Sequence, residues 1–186
     1  MINIDTEAIV LAAGYSSRYP EFKPLLKIKD KTIIEHTIFN LYDVCSRVIV
    51  VCGHRAEDIK MVLQAYDKIE FVMNEVYSDG MFSSILEGVK HIKSNKFFVV
   101  PSDMPMIKKE TYINLLMVTG DIVIPVYKGK KGHPVLMNCK FIPELLKEKI
   151  DSNFKEFIEK RNYILEEVND EGVLIDIDTK EDFEKL

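Results

Sequence analysis

Short runs of β-branched and aromatic residues alternate with segments of helical periodicity, and this alternation constrains the fold more than any other feature of the chain. The runs predict buried strands at residues 8–11, 47–52, 69–73, 97–100 and 121–126. Strands separated by helices are typical of βαβ units, which build a mostly parallel sheet with helices on both faces. We therefore expect an α/β protein, in which later strands at residues 134–137 and 173–177 extend the sheet.

Helical segments fill the intervals between these strands. Thr32 and Glu35 have the spacing of a capping box, and Ile34, Ile38 and Leu41 recur on one face, which predicts a helix beginning at this point. The same periodicity predicts helices at residues 56–65, 83–92, 109–117 and 141–147, and a last one after Thr179. No repeat, low-complexity tract or linker divides the chain, so residues 1–186 are predicted to form a single domain.

Composition excludes several classes of function. Of the 186 residues, 47% are hydrophobic and 30% are charged, as in ordinary globular domains. The 25 basic residues are outnumbered by 30 acidic ones, and a net charge of −5 gives no long-range attraction to nucleic acid or anionic membranes. Cys45, Cys52 and Cys139 have no CxxC spacing and are expected to be buried free thiols. No apolar run approaches the roughly 20 residues that span a bilayer, so we expect a cytoplasmic protein.

Ligands of an open parallel sheet bind beyond the carboxyl ends of the strands, so residues that follow each strand are the candidates for a site. The first strand leads into Leu11-Ala12-Ala13-Gly14-Tyr15-Ser16-Ser17-Arg18, followed by Lys23. Small residues let backbone amides approach a polyphosphate, while hydroxyls and the two cations contact its oxygens. The segment matches neither the G-x-x-x-x-G-K-[ST] nor the G-x-G-x-x-G phosphate loop. An ordinary polar turn is the alternative interpretation.

Carboxylates follow two other predicted strands. Asp103 is held between Pro101 and Pro105, a rigid mount for a ligand of a hard cation, and is the predicted metal ligand. Asp176 and Asp178 end the last predicted strand, where alternation places both on one face and one of them opposite Asp103. Each carboxylate has the alternative role of capping a turn or a helix.

Two further segments combine glycine with polar side chains. Gly80 is followed by Met81, Ser83 and Ser84, an arrangement that suits a base or a ribose. His133 follows a glycine and is predicted to face a second substrate. A helix N-terminus and a tight turn, respectively, are the alternatives.

In chain order the segments are Leu11-Ala12-Ala13-Gly14, Ser16-Ser17-Arg18, Lys23-Pro24-Leu25-Leu26, Gly80-Met81 with Ser83-Ser84, Asp103-Met104-Pro105, Gly132-His133-Pro134-Val135 and Asp176-Ile177-Asp178-Thr179. Together they resemble the MobA-like nucleotidyltransferases, most closely the molybdenum cofactor cytidylyltransferase branch. One position departs from that pattern, because Pro20 stands where the family usually has a second glycine, and proline has no N–H to offer a phosphate.

The resemblance implies a three-layer α/β/α Rossmann-like domain of the nucleotide-diphospho-sugar transferase type. It implies Mg²⁺-dependent transfer of CMP from CTP to a phosphorylated acceptor, molybdopterin carrying molybdenum, with a molybdenum hydroxylase as a client protein. Ala13 implies CTP, because guanylyltransferases more often have a second glycine there. The rival interpretations are a guanylyl transfer, the same chemistry on methylerythritol phosphate or a sugar phosphate, and a non-catalytic accessory protein that binds nucleotide or cofactor.

The resemblance also assigns roles to residues. Catalysis is implied for Lys23, Arg18 and Asp103, and metal binding for Asp103 and Asp178. Met81, Ser83, His133 and Asp176 are implied to contact the acceptor. The implied nucleotide contacts are Leu11, Ala12, Ala13, Gly14, Ser16, Ser17, Arg18, Lys23, Gly80 and Ser84.

Overall fold

The structure is a computed structural model, and it describes residues 5–15, 21–177 and 179–184. The strands are β1 (Thr6–Ala12), β2 (Lys27–Ile28), β3 (Lys31–Thr32), β4 (Arg47–Cys52), β5 (Ile69–Met73), β6 (Lys96–Pro101), β7 (Ile122–Tyr127), β8 (Lys130–Lys131), β9 (Val135–Asn138) and β10 (Ile164–Glu167). The helices are α1 (Ile33–Tyr42), α2 (Ala56–Leu63), α3 (Met81–Val89), α4 (Lys109–Met117), α5 (Ile142–Leu145), α6 (Phe154–Glu159) and α7 (Lys180–Glu184).

The main sheet is mixed but mostly parallel. Its strands follow the order β10-β7-β9-β6-β1-β4-β5, with β8 paired to β7. Strands β5, β4, β1 and β6 are parallel neighbours, and β9 lies antiparallel between β6 and β7. The chain moves outward from β1 to β4 and β5 on one side and continues at β6 on the other. This reversal opens a crevice at the carboxyl ends of β1 and β6, the place where open α/β sheets bind ligands.

Alternation along the central strand creates the two buried layers of the protein. Ala8 and Val10 pack into one hydrophobic cluster with residues of α1, α2 and α4. Ile9 and Leu11 point to the opposite face and pack with residues of α3, α5 and α6. Helices therefore cover both faces of the sheet, which confirms the three-layer α/β/α prediction. None of the helices among the described residues is both long and apolar enough to cross a bilayer.

The five strands predicted first are confirmed, as is the strand predicted at residues 134–137. Thr32 and Glu35 form the predicted capping box, in which the Glu35 amide donates to Thr32 Oγ1 at 3.4 Å and the Thr32 amide donates to Glu35 Oε2 at 2.7 Å. The helix predicted at residues 141–147 is shorter than expected. Strand β10 and helix α6 were not predicted at all. The thiols of Cys45 and Cys52 are free and buried, and burial raises the pKa of Cys52 to about 12, whereas Cys139 is partly exposed.

The strand predicted at residues 173–177 is wrong. Glu171–Leu174 forms a 3₁₀ turn, because the Asp170 carboxylate accepts a hydrogen bond from the Gly172 amide at 3.0 Å and caps the turn. Gly172 lies so close to Met106 that an added Cβ would be 2.2 Å from its carbonyl oxygen. Beyond this turn, the Ile177 amide donates to the carbonyl of Asp103 at 3.0 Å. The face-alternation argument for Asp176 and Asp178 therefore does not apply.

At the opposite, amino-terminal edge of the sheet, Glu7 is the hub of a buried ionic network. Arg47 Nε donates to one of its carboxylate oxygens at 2.7 Å, and the amides of Lys93 and Ser94 donate to the other at 2.6 and 3.0 Å. Burial alone would raise the pKa of Glu7, but these hydrogen bonds and the charge of Arg47 outweigh it and lower the pKa below its ordinary value of 4.5.

We expect Glu7→Gln to lower the free energy of unfolding by about 3 kcal/mol at pH 7, because it breaks the more buried of the two ion pairs of Arg47 and leaves only the pair with Glu70. Since the folded-state pKa is the lower one, Glu7 contributes its full stabilisation above pH 4.5 and loses it as the pH falls through the folded-state value. Urea unfolding of both proteins at pH 7 and at pH 3 measures the difference. The control is Glu57→Gln, at a side chain that is 82% exposed. An equal deficit at both pH values would contradict the assignment.

Candidate active site

A cavity of about 350 Å³ lies at the carboxyl ends of β1 and β6, and we call it the loop cavity. Its lining includes every residue for which the sequence predicted a nucleotide contact and that the structure describes. These are Leu11, Ala12, Ala13, Gly14, Lys23, Gly80 and Ser84, together with Asp103. The structure thus brings together segments that are far apart in the chain.

Neighbouring strands hold the first loop in place. The carbonyl of Leu11 accepts from the amide of Ser102, and the carbonyl of Ala13 accepts from the amide of His54, each at 3.1 Å. Ala12 and Ala13 are buried, whereas Gly14 is exposed to the cavity. The other half of the predicted phosphate loop, with Ser16, Ser17, Arg18 and Pro20, lies outside the described residues.

Lys23 and Asp103 form an ion pair at the wall of the loop cavity. The Lys23 Nζ lies 2.9 Å from Asp103 Oδ2, and the side chains are only 10% and 21% exposed. Lys23 begins a 3₁₀ turn, Lys23–Leu25, and Asp103 follows β6. Lys23 therefore places a positive charge against the Asp103 carboxylate, at the end of the sheet where open α/β proteins bind ligands.

The chemistry of Asp103 suits a magnesium ion. No group of three His, Cys, Asp or Glu side chains that could hold a metal occurs within residues 5–15, 21–177 and 179–184. Mg²⁺ does not require such a cage, because it is commonly bound by one or two carboxylates, with phosphates and water completing its shell. The backbone bond from Ile177 brings the segment next to Asp103, and Asp176 in that segment is exposed. Asp178 lies outside the described residues.

A second, larger cavity of about 640 Å³ adjoins the first, and we call it the wide cavity. Gly80 and Met81 line both cavities. The apolar lining of the wide cavity comes from α3, β7, β9 and α6, and its polar lining includes Lys131, Asn153 and Lys155. A volume of this size is typical of a small-molecule site, and a lining that combines apolar with charged side chains suits a ligand that has both kinds of group.

His133 lines the wide cavity, as predicted for a residue facing a second substrate. Its Nδ1 atom is buried and has no hydrogen-bond partner among the described residues. Burial lowers the pKa of His133, and the negative charges of Asp103 and Asp176 oppose this only in part. Met81 is 58% exposed at the boundary of the two cavities. Ser83 is buried and lines neither cavity, and its hydroxyl donates to the carbonyl of Gly80 at 2.7 Å.

Sequence reasoning missed several residues of the two cavities. The ring of Tyr15 lies 5.1 Å from that of His54 and 5.0 Å from that of Tyr77, centroid to centroid, and Tyr15 and Tyr77 form an aromatic wall of the loop cavity. Asn74 directly follows β5 and contacts two serines, and the rule of inspecting residues after strands would have found it. Lys155 belongs to helix α6, which has only six residues and too few apolar repeats to be predicted as a helix.

Comparisons with known proteins agree with this geometry. The family model described as the MobA-like NTP transferase domain matches residues 8–166. The chain is 25% identical to the molybdenum cofactor cytidylyltransferase of Escherichia coli K12, over 95% of this chain and 93% of that protein. It is 33% identical to a probable molybdenum cofactor guanylyltransferase of Bacillus mycoides, over 66% of this chain and 62% of that protein.

Among solved structures, the fold is similar to that of a nucleotidyl transferase from Methanothermobacter thermautotrophicus. The TM-score is 0.83 at 21% identity, and the superposition covers 98% of this chain and 95% of the other. At this identity the likeness concerns the fold alone.

Proposed function

This chain belongs to the MobA-like NTP transferase family, and from that premise we propose that it transfers CMP from CTP to the terminal phosphate of molybdopterin, releasing pyrophosphate. The observation that carries the proposal is the junction of the two cavities at Gly80 and Met81. One cavity has the features of a triphosphate site and the other those of a site for a larger, partly apolar acceptor. Two substrates bound side by side are what a direct transfer requires.

In the loop cavity, we assign the triphosphate to the Leu11–Gly14 loop and to Lys23. The residues around it are small, and Lys23 supplies a buried positive charge that strengthens contacts to phosphate oxygens. Asp103, whose carboxylate accepts a hydrogen bond from Lys23, is assigned to bind Mg²⁺ with the triphosphate. When bound, Mg²⁺ supplies charge neutralisation to the phosphates of the nucleotide.

The transfer is an in-line displacement. An oxygen of the acceptor phosphate forms a bond to the α-phosphorus, and the bond from that phosphorus to the oxygen of the β-phosphate breaks. Pyrophosphate leaves with the bonding electron pair. In this reaction the described residues position the substrates and stabilise their charge, and they form no covalent intermediate. Enzymes of phosphoryl transfer usually act in this way.

The wide cavity supports an acceptor that combines an aromatic body with a phosphate. Phe82, Ile85 and Ile158 give it an apolar lining for the body of the acceptor. Its charged lining combines Lys131 and Lys155 with three carboxylates, and we assign the acceptor phosphate to the two lysines. Lys131 is held by the hydroxyl of Tyr163, to which its Nζ donates at 2.6 Å. The cavity volume of about 640 Å³ is within the range of cofactor sites.

The proposed nucleotide is CTP, and the relevant residue is Ala13. Ala13 belongs to the lining of the loop cavity, and we assign to its methyl group the role of limiting the space for a base. We expect kcat/KM to be higher for CTP than for GTP, and Ala13→Gly to reduce this ratio by roughly tenfold, because one methyl group discriminates by about 1–3 kcal/mol. Using the ratio of the two substrates cancels any uniform loss of active protein.

Pyrophosphate release measured with purified protein, Mg²⁺ and molybdenum cofactor tests the whole proposal. A native preference for GTP would reassign the protein to guanylyl transfer, an alternative that the Bacillus relative supports. Turnover only with methylerythritol phosphate or a sugar phosphate would replace the acceptor and keep the chemistry. Nucleotide binding without any turnover would favour a non-catalytic accessory protein.

A further inference from the structure

Asn74 is a buried polar residue that the proposed mechanism does not use. It directly follows β5 and is 2% exposed. Its side-chain oxygen accepts a hydrogen bond from the amide of Val76 at 3.0 Å. A backbone N–H can only donate, so the atom that faces Val76 must be the oxygen of the Asn74 side chain. The orientation of the amide group is therefore determined, and its NH₂ group must face the other side.

The NH₂ group of Asn74 donates to two serine hydroxyls at the start of α3. The distances are 2.8 Å to Ser83 Oγ and 3.0 Å to Ser84 Oγ. Ser83 donates its own proton back to the carbonyl of Gly80 at 2.7 Å. Gly80 has a φ of 101°, a conformation that favours glycine, so this contact fixes the entry into the helix.

The hydroxyl proton of Ser84, unlike that of Ser83, is not used in a hydrogen bond to a described protein acceptor. Its oxygen accepts from Asn74, and within the described part of the chain its hydroxyl donates to no protein acceptor. Ser84 lines the loop cavity although the whole residue is only 3% exposed. A hydroxyl carries one proton, and with its oxygen engaged by Asn74 that proton is available to a ligand in the cavity.

We propose that Asn74 is a positioning residue that makes the Ser84 hydroxyl a hydrogen-bond donor to the cytosine base of bound CTP. This inference rests on the proposed function. The basic residue of the cavity lining, within the described residues, is Lys23, whereas the wall that contains Tyr77, Gly80 and Ser84 is neutral. An uncharged base is the part of CTP that suits a neutral wall with one oriented donor, and cytosine presents O2 and N3 as acceptors.

The test compares CTP with inorganic tripolyphosphate, which lacks the base and the ribose. We expect Ser84→Ala to weaken CTP binding about tenfold in calorimetry, and to leave tripolyphosphate binding unchanged, since one neutral hydrogen bond is lost. Asn74→Asp should weaken CTP binding by a similar factor. Its carboxylate has no proton to donate, so the Ser84 hydroxyl turns its proton toward it and away from the ligand.

The variant that combines Asn74→Asp with Ser84→Ala tests whether Asn74 acts by positioning Ser84 or only by supporting the fold. If Asn74 acts through Ser84, Asn74→Asp in the Ser84→Ala background changes CTP affinity less than about twofold further. Ser46→Ala, at an exposed serine that donates to the carbonyl of Thr6, is the control. Base-free ribose 5′-triphosphate checks that the contact is made by the base, and its affinity should not change in any variant.

Two results overturn the inference. Equal weakening of CTP and tripolyphosphate by Ser84→Ala would place the contact on the phosphates, and a full additional effect of Asn74→Asp in the double variant would make Asn74 merely structural. Both leave the proposed function intact as long as the parent protein still turns over CTP. Absence of CTP binding to the parent protein would instead refute the proposed function.

Discussion

Asp103→Asn is expected to lower the rate of nucleotidyl transfer by about 10³-fold while leaving the fold intact. The change keeps the shape of the side chain and removes the charge that the proposed site uses to bind Mg²⁺ beside the triphosphate. Asp103 is 21% exposed, so the neutral amide can be solvated and the loss of the pair with Lys23 should not unfold the protein. Pyrophosphate release at saturating CTP and physiological Mg²⁺ measures the effect.

Asp121→Asn is the matched control, because it removes a carboxylate that is paired with Lys140 on the surface of the protein. The unfolding curve of Asp121→Asn should overlay that of the parent within about 1 kcal/mol. Asp103→Asn breaks a more buried pair and is expected to shift the midpoint, but its unfolding should remain cooperative. Near-normal turnover of Asp103→Asn would remove the proposed metal site. The same substitution at Asp176 and at Asp178 shows which of these two carboxylates, if either, joins Asp103.

Local pattern was sufficient to predict the central strands and the first helix. Strands β1 and β4 are apolar runs that have parallel neighbours on both sides, and such runs are recognisable without tertiary information. The capping box of α1 is a contact between residues three apart, so it is visible in the sequence itself. The rule that sites follow strands then located the loop after β1 and Asp103 correctly in the crevice.

The features that the sequence failed to predict depend on contacts between distant parts of the chain. The apolar pattern at residues 173–177 resembles a strand, but the Asp170 cap and the close approach of Gly172 to Met106 hold the chain in a turn. The Asn74 network and the lysines of the wide cavity depend on which elements become neighbours. An isolated asparagine or lysine carries no signal in the sequence that distinguishes these partners from solvent.

Lys23→Met is expected to have opposite effects on the two ligands of the loop cavity. It should weaken CTP binding by about 10- to 100-fold, since a charge-assisted contact to phosphate contributes roughly 1.5–3 kcal/mol. Mg²⁺ alone should bind more tightly, because the ammonium group that lies 2.9 Å from Asp103 no longer competes with the ion for the carboxylate.

Calorimetric titrations of CTP and of Mg²⁺, each without the other, measure the two effects of Lys23→Met separately. Lys109→Met, at a partly exposed lysine that pairs with Asp43, is the control for general loss of positive charge and should change neither affinity. A structural role for Lys23 would weaken both ligands together, because a distorted cavity binds neither well. Tighter Mg²⁺ binding combined with weaker CTP binding is therefore the result that only the proposed arrangement of Lys23, Asp103 and the triphosphate produces.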